Sequence, residues 1–204
     1  MTSESLARAT VLDAGTGRGR VALALAPLAA RVVGVDRDAE AIAEATQRAR
    51  AARLANVEFV AVDAEKVEFT ELTGGVRPAL ITAHLYFADA LVERAARALA
   101  PGGALAAVAF HADQWQETGR RSRFAYDEAG LRALLAAHDF GVEHLEIERE
   151  VQHFGSVEEA LAAAIGLEER WRSDGRWFNY LKFLEQGGRT LTRSHLVVKA
   201  RRVG

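Results

Sequence analysis

The chain has 204 residues, half of them hydrophobic and about a quarter charged, enough for one domain with a sizeable core and ordinary for a soluble globular protein. The formal net charge of −2 argues against a polycation built for nucleic acid, and the lack of cysteine excludes disulfides, thiolate metal sites and a cysteine nucleophile. The first ten residues, MTSESLARAT, lack the apolar stretch of a signal peptide, and no run approaches the roughly 18 apolar residues of a membrane span, so the expected address is cytoplasmic.

From Thr10 to about Glu150, short β-rich runs alternate with Ala-rich helical runs. Ala9 to Ala14 reads as a strand and Arg18 to Leu28 as a helix. Arg31 to Asp36 (RVVGVD) is a second strand. Ala39 to Leu54 is a helix opened by Asp38 as N-cap. Val57 to Val62 and Ala79 to Ala83 are the third and fourth strands. Ala88 to Leu99 is a helix stopped by Pro101-Gly102-Gly103, and Gly103 to Phe110 is the fifth strand. Strands that run continuously apolar between helices predict a mostly parallel α/β sheet, doubly wound in three layers and covered on both faces.

Towards its end the chain changes character. Asp127 to His138 is a helix. Val142 to Val151 alternates, with His144, Glu146, Glu148 and Glu150 on one face, which suits an edge strand. His195 to Ala200 reads as a more buried last strand. Residues 152–190 between them predict a helical insertion, a lid within a single domain spanning residues 1–204. Its first helix opens with a capping box, Ser156 with Glu159. Its second, Arg176 to Glu185, carries Trp177, Tyr180, Leu181 and Leu184 at helical spacing.

The chemistry concentrates at VLDAGTGRGR, Val11 to Arg20, a strand that breaks into Gly15, Thr16, Gly17 and Gly19. Such a turn serves NAD, FAD, nucleotides or S-adenosylmethionine (SAM). A dinucleotide lays its pyrophosphate over the turn, and Asp13 at the strand end would repel it. SAM carries no phosphate but a sulfonium and an ammonium group, which a carboxylate attracts in a partly closed site. Asp36 ends the second strand where a carboxylate holds ribose hydroxyls, with Arg37 behind it. Asp63 ends the third, positioned to accept from an adenine amino group with the Ala64 N–H facing a ring nitrogen. All three acids fall on the carboxyl rim of the sheet, where ligands of open α/β sheets sit.

With these motifs the sequence resembles the class I, Rossmann-like SAM-dependent methyltransferases. VLDAGTGRG is similar to that family's E/D-x-G-x-G-x-G motif, VVGVDRD to its acidic second-strand end, VEFVAVDAE to its adenine-side motif, and ARALAPGGALAAVAF to the helix, turn and fifth strand that follow. The resemblance implies a seven-stranded sheet of order 3-2-1-4-5-7-6 with strand 7 antiparallel. It also implies SAM as cofactor, with S-adenosylhomocysteine (SAH) as product.

Methyl transfer requires alignment of donor and acceptor, and a base only where the acceptor must lose a proton. His84 and His111, at the ends of the fourth and fifth strands, are the candidate bases, His84 also bordering the cofactor. Tyr86 and Trp115 beside them, Arg120 and Arg121 in TGRRSR, and Trp177 and Tyr180 in the insertion are candidate substrate contacts. Trp177 and Tyr180 read more readily as glue that holds short helices to the sheet. Asp89 alone after the fourth strand makes no metal site, and no metal is expected. The expected activity is methyl transfer to the oxygen or nitrogen of a small molecule. An RNA or protein methyltransferase with nucleic acid as partner, and a SAM- or SAH-binding protein without turnover, remain open beside it. Monomer and homodimer are equally open.

Overall fold

The computed structural model describes residues 6–203. Eight strands form one sheet: β1 (Thr10–Ala14), β2 (Arg31–Asp36), β3 (Val57–Ala61), β4 (Leu80–His84), β5 (Ala104–His111), β6 (Ala125–Tyr126), β7 (Phe140–His153) and β8 (Thr190–Arg202). Their order is β3-β2-β1-β4-β5-β8-β7, with β6 pairing β5. Because β6 is only two residues long, this is the expected 3-2-1-4-5-7-6 order with the last two strands renumbered. The pairs among β1 to β5 are parallel. β8 runs back: Val203 donates to the Asp139 carbonyl at one end and Phe154 to the Arg189 carbonyl at the other, the pattern of an antiparallel pair.

The helices are α1 (Arg20–Leu25), α2 (Ala39–Ala51), α3 (Phe69–Leu72), α4 (Asp89–Ala98), α5 (Glu128–Ala137), α6 (Val157–Ala164), α7 (Glu168–Asp174) and α8 (Arg176–Glu185). Strand order runs outward from β1 first through β2 and β3, then through β4 and β5. Right-handed crossovers therefore put α1 and α2 on one face and α3 and α4 on the other. Asp38 caps α2 as its sequence suggests, accepting from the Glu40 and Ala41 N–H groups. The Ser156–Glu159 box opens α6 in the same way: Ser156 Oγ accepts from the Glu159 N–H and Glu159 Oε2 from the Gly155 N–H.

Two compact units emerge. One holds the described residues up to Ala109 with Glu128–Glu146 and Val197 onward; the other holds Phe110–Asp127 and Ile147–Leu196. The second unit takes in the predicted 152–190 segment but is larger. Its own core is aromatic: Phe110, Trp115, Trp171, Trp177 and Tyr180 pack with Ala160, Ala164, Leu184 and Leu191. Trp115 and Tyr180 each meet Trp171 edge-on, at centroid distances of 5.3 and 5.6 Å, the arrangement ring quadrupoles favour.

In the first unit, parallel register aligns Phe59, Gly34, Asp13, Thr82 and Ala106 across five strands, so these residues share one face. Gly34 is the gap in that row. A Cβ there would lie 2.6 Å from the Phe59 ring and 2.9 Å from Thr16 Oγ1. Gly34→Ala is expected to destabilise the fold by roughly 1–3 kcal/mol, the usual range for overpacking a core, read as a lower urea midpoint. Trimming the ring with Phe59→Leu in the same chain should restore part of the loss.

Candidate active site

The turn after β1 is built by a buried carboxylate. Asp13 is 1% exposed. Its Oδ2 accepts from Thr16 Oγ1 at 2.6 Å and its Oδ1 from Thr82 Oγ1 at 2.7 Å. Burial pushes its pKa above the ordinary aspartate value, opposed by the two hydroxyls, the backbone at Ala22 and the charge of Arg20. Asp13, which the sequence sets at the mouth of the turn, is thus buried and ties β1 to β4 and to the turn. The residue that completes the brace, Thr82, escaped the sequence reading.

Above the brace, Gly15, Gly17 and Gly19 adopt φ of 68, 51 and 78°, the left-handed region that only glycine enters without strain. The Thr16 N–H donates to the Val35 carbonyl, and the Gly19 N–H to the Thr16 carbonyl. Asp36 ties the turn to β2, its Oδ2 accepting from the Gly17 N–H at 2.8 Å and its Oδ1 from the Asp38 N–H at 3.0 Å. A carboxylate offers about four lone-pair sites, so Asp36 keeps accepting capacity. A Cβ on Gly17 would meet nothing within 4 Å, which leaves open space in front of the turn.

Asp63, at the end of β3, accepts from the Glu65 N–H and lies 3.4 Å from Lys66. The backbone hydrogen bond, first, and Lys66 and Arg37 hold its pKa below the usual value. Ala64 beside it is buried and Arg37 is exposed. Tyr86 is half-buried, and its phenol is pushed up to about 12 by burial and then by the charges of Glu65, Asp63 and Asp36. The carboxyl ends of β1 to β4 thus gather the glycine turn, Asp36, Asp63 and Tyr86. Such a donor set offers anionic and neutral acceptors and backbone N–H groups, and it suits a cationic, hydroxyl-bearing ligand. Among the described residues no group of three or more His, Asp or Glu is arranged to hold a metal ion.

His84 closes β4, with Arg20 Nη2 2.7 Å from its Nε2. A guanidinium only donates, so Nε2 is the acceptor in this pairing. His84 also lines a groove of about 280 Å³ together with Val21, Thr82, Ala106, Val108 and Val197, and His144 and Lys199 are among its polar lining. Lys199 is paired there with Glu143 at 2.7 Å.

Residues 11–103 match a family model described as a methyltransferase domain. That stretch, a little under half of the chain, is a SAM-dependent methyltransferase domain by this match. SAM is the cofactor of such a domain. An uncharacterized RNA methyltransferase of Halalkalibacterium halodurans is 44% identical over 72 residues, which are 35% of this chain and 16% of that protein. Among solved structures, the YcgJ protein of Bacillus subtilis aligns with a TM-score of 0.76 at 18% identity, over 99% of this chain and 96% of that one. Magnesium protoporphyrin IX methyltransferase of Synechocystis, solved with SAH, aligns with a TM-score of 0.63 at 17% identity, over 98% and 76%.

The remaining candidates belong to the second unit and are engaged within it. His111 is 8% exposed; its Nδ1 receives the Asp113 N–H at 3.3 Å and lies 3.0 Å from Ser194 Oγ. Asp113 in turn pairs with Arg149. Trp115, Trp177 and Tyr180 lie in the aromatic core, and the Tyr180 hydroxyl donates to the Thr190 carbonyl. Arg120 donates to the Asp174 carbonyl, and Arg121 donates to the Ala125 carbonyl and pairs with Asp127. Trp115, Trp177 and Tyr180, expected as substrate contacts, are thus placed in the aromatic core, and Arg120 and Arg121 on backbone carbonyls of the same unit. Core packing and carbonyl pairing take up these groups.

The brace yields a test. Asp13→Ala strands two buried hydroxyls, so the methyltransferase domain is expected to lose about 2–4 kcal/mol of stability, at roughly 1–3 kcal/mol per unpaired group. Asp13→Asn keeps one acceptor and sheds the desolvation cost of the charge, so it should lose less than half as much. Equal losses in thermal or urea melts would remove the brace.

Proposed function

We propose that the chain transfers the methyl group of SAM to an oxygen or nitrogen of a small apolar molecule. Asp36 would hold the ribose hydroxyls, Asp63 and the Ala64 N–H the adenine, and the backbone of Gly15 and Gly17 the amino-acid end of the donor. The bound donor supplies a methyl group already activated by its sulfonium. What the chain's own residues contribute is alignment and exclusion of water. The observation that supports the acceptor class is the groove: its lining is mostly apolar, it includes His84 from the end of β4, and its volume is at the low end of small-molecule sites.

The pairing of His84 Nε2 with Arg20 bears on the proton. While Arg20 donates to that nitrogen, His84 cannot take a proton there, so the reading favours acceptors that are nucleophilic at neutral pH without a base. An RNA acceptor is the second reading, favoured by the stretch shared with the RNA methyltransferase named above. Against it stand the ion pairs of the basic residues late in the chain: Lys199 and Arg201 pair with Glu143 and Arg202 with Asp139, and Arg121 pairs with Asp127.

Asp36→Ala is expected to weaken SAM binding by roughly 1–3 kcal/mol, about 5- to 150-fold, measured by calorimetry. Unchanged affinity would overturn the donor site. Labelled methyl transfer over fractionated small-molecule extracts and over RNA then separates the two acceptor classes and exposes a protein that binds without turnover. A steep loss of RNA binding with added salt would support the second reading.

A further inference from the structure

One face of β5 and β8 is less covered than the other. Leu105, Ala107 and Ala109 on β5 are buried, whereas Ala106 and Val108 between them are half-buried. On β8, Val198 and Ala200 are buried, and Val197 and Lys199 are half-buried. Side chains alternate across a strand, so the half-buried set shares the open side of each strand, and all four residues line the groove. His84 joins them from β4 as the register partner of Val108.

The polar lining of this groove carries a net charge. Arg201 grips Glu143 with two donors, Nε on Oε1 and Nη2 on Oε2 at 3.2 Å, the fork that satisfies a carboxylate by itself. Lys199 Nζ then adds a second cation at 2.7 Å from the same Oε2. Two cations against one carboxylate leave one surplus positive charge. An ammonium has three N–H donors, and Glu143 engages one, so Lys199 keeps two. Glu146, the next acid on that side of β7, lies 3.4 Å from His144.

We propose that the methyl acceptor is an amphipathic monoanion, with its apolar body over Ala106, Val108 and Val197 and a carboxylate or other singly charged group on Lys199. This rests on the reading of the groove as the acceptor site, and it adds one charged end to the apolar acceptor argued above. β5 lies between β4 and β8, so His84 and Lys199 stand two strand spacings apart, about 10 Å. A nucleophile beside His84 and an anionic group on Lys199 are therefore separate parts of one molecule. Apolar surroundings strengthen the contact, because the field of Lys199 is screened less there than in open water. One surplus charge suits one anionic group and not a polyanion, so the ion pairs that count against RNA are consistent with this ligand.

The test uses the full chain and two dyes of one shape. Anilinonaphthalene sulfonate carries a single negative charge, and phenylnaphthylamine has the same rings without it. Both brighten in apolar sites, so fluorescence titration reads their affinities. Val197→Gln puts an amide in the floor of the groove and should weaken both dyes at least fivefold. Lys199→Met keeps the stem and drops the charge. It should weaken the sulfonate at least fivefold and leave the neutral dye within about twofold; Arg201 still holds Glu143 in that variant. Lys199→Arg should return the sulfonate to within about twofold of wild type. Equal effects of Lys199→Met on the two dyes, or none on either, would overturn the anion site and leave the groove in place. Dyes that fail to bind, or that ignore Val197→Gln, would strike the groove as the acceptor site and the proposal with it. Among small-molecule extracts, the labelled product should stay on an anion-exchange column at neutral pH, and labelled product that washes through overturns the monoanion.

Discussion

A carboxylate shared by two hydroxyls organises the functional end of this molecule. Asp13 sits inside the sheet and takes one hydrogen bond from Thr82 on the neighbouring strand and one from Thr16 in the turn. A buried carboxyl without partners would cost several kcal/mol, so the two hydroxyls are what make the position tolerable, and they hold the strand and the turn to it. The glycine turn is not a flexible loop under these terms. It is pinned from below by Asp13, from β2 by the Val35 carbonyl and from the rim by Asp36. Three left-handed glycines let so short a segment meet all three constraints.

The electrostatic character of the rim follows from the same arrangement. A negative charge lies beneath the turn and two more stand in front of it, at the ends of β2 and β3. A diphosphate would meet repulsion from every side, while a cation with hydroxyl groups meets acceptors. The acids differ in setting: burial raises the pKa of Asp13, whereas a backbone donor and nearby cations lower that of Asp63. The charge a ligand meets first is thus that of Asp36 and Asp63, and the contribution of Asp13 is mainly geometric.

Elements with a local signature could be read from the residues alone. The parallel strands announced themselves as apolar runs, α2 through its Asp38 cap, α6 through Ser156 and Glu159, and α8 through the spacing of Trp177, Tyr180 and Leu184. Helices α3 and α7 carry four and seven residues and show no periodicity long enough to detect. Thr82 reads as one polar residue in an apolar strand; its meaning depends on Asp13, 69 positions away, and no local pattern holds that. The same holds for Arg20 on His84 and for the aromatics of the second unit. Which face an aromatic side chain covers is a property of tertiary packing, so residue type alone could not tell a core tryptophan from a ligand contact.

The last strand in spatial order has a consequence for handling the protein. β7 is fourteen residues long and ends the sheet, so its outer backbone groups are a template on which another extended chain could grow. Glu146, Glu148 and Glu150 recur at every second position along it, and a second copy aligned there would bring carboxylate against carboxylate. That guard is electrostatic, so it weakens as dissolved salt screens the row. High ionic strength therefore thins the guard while the unpaired backbone groups of the edge stay as they are.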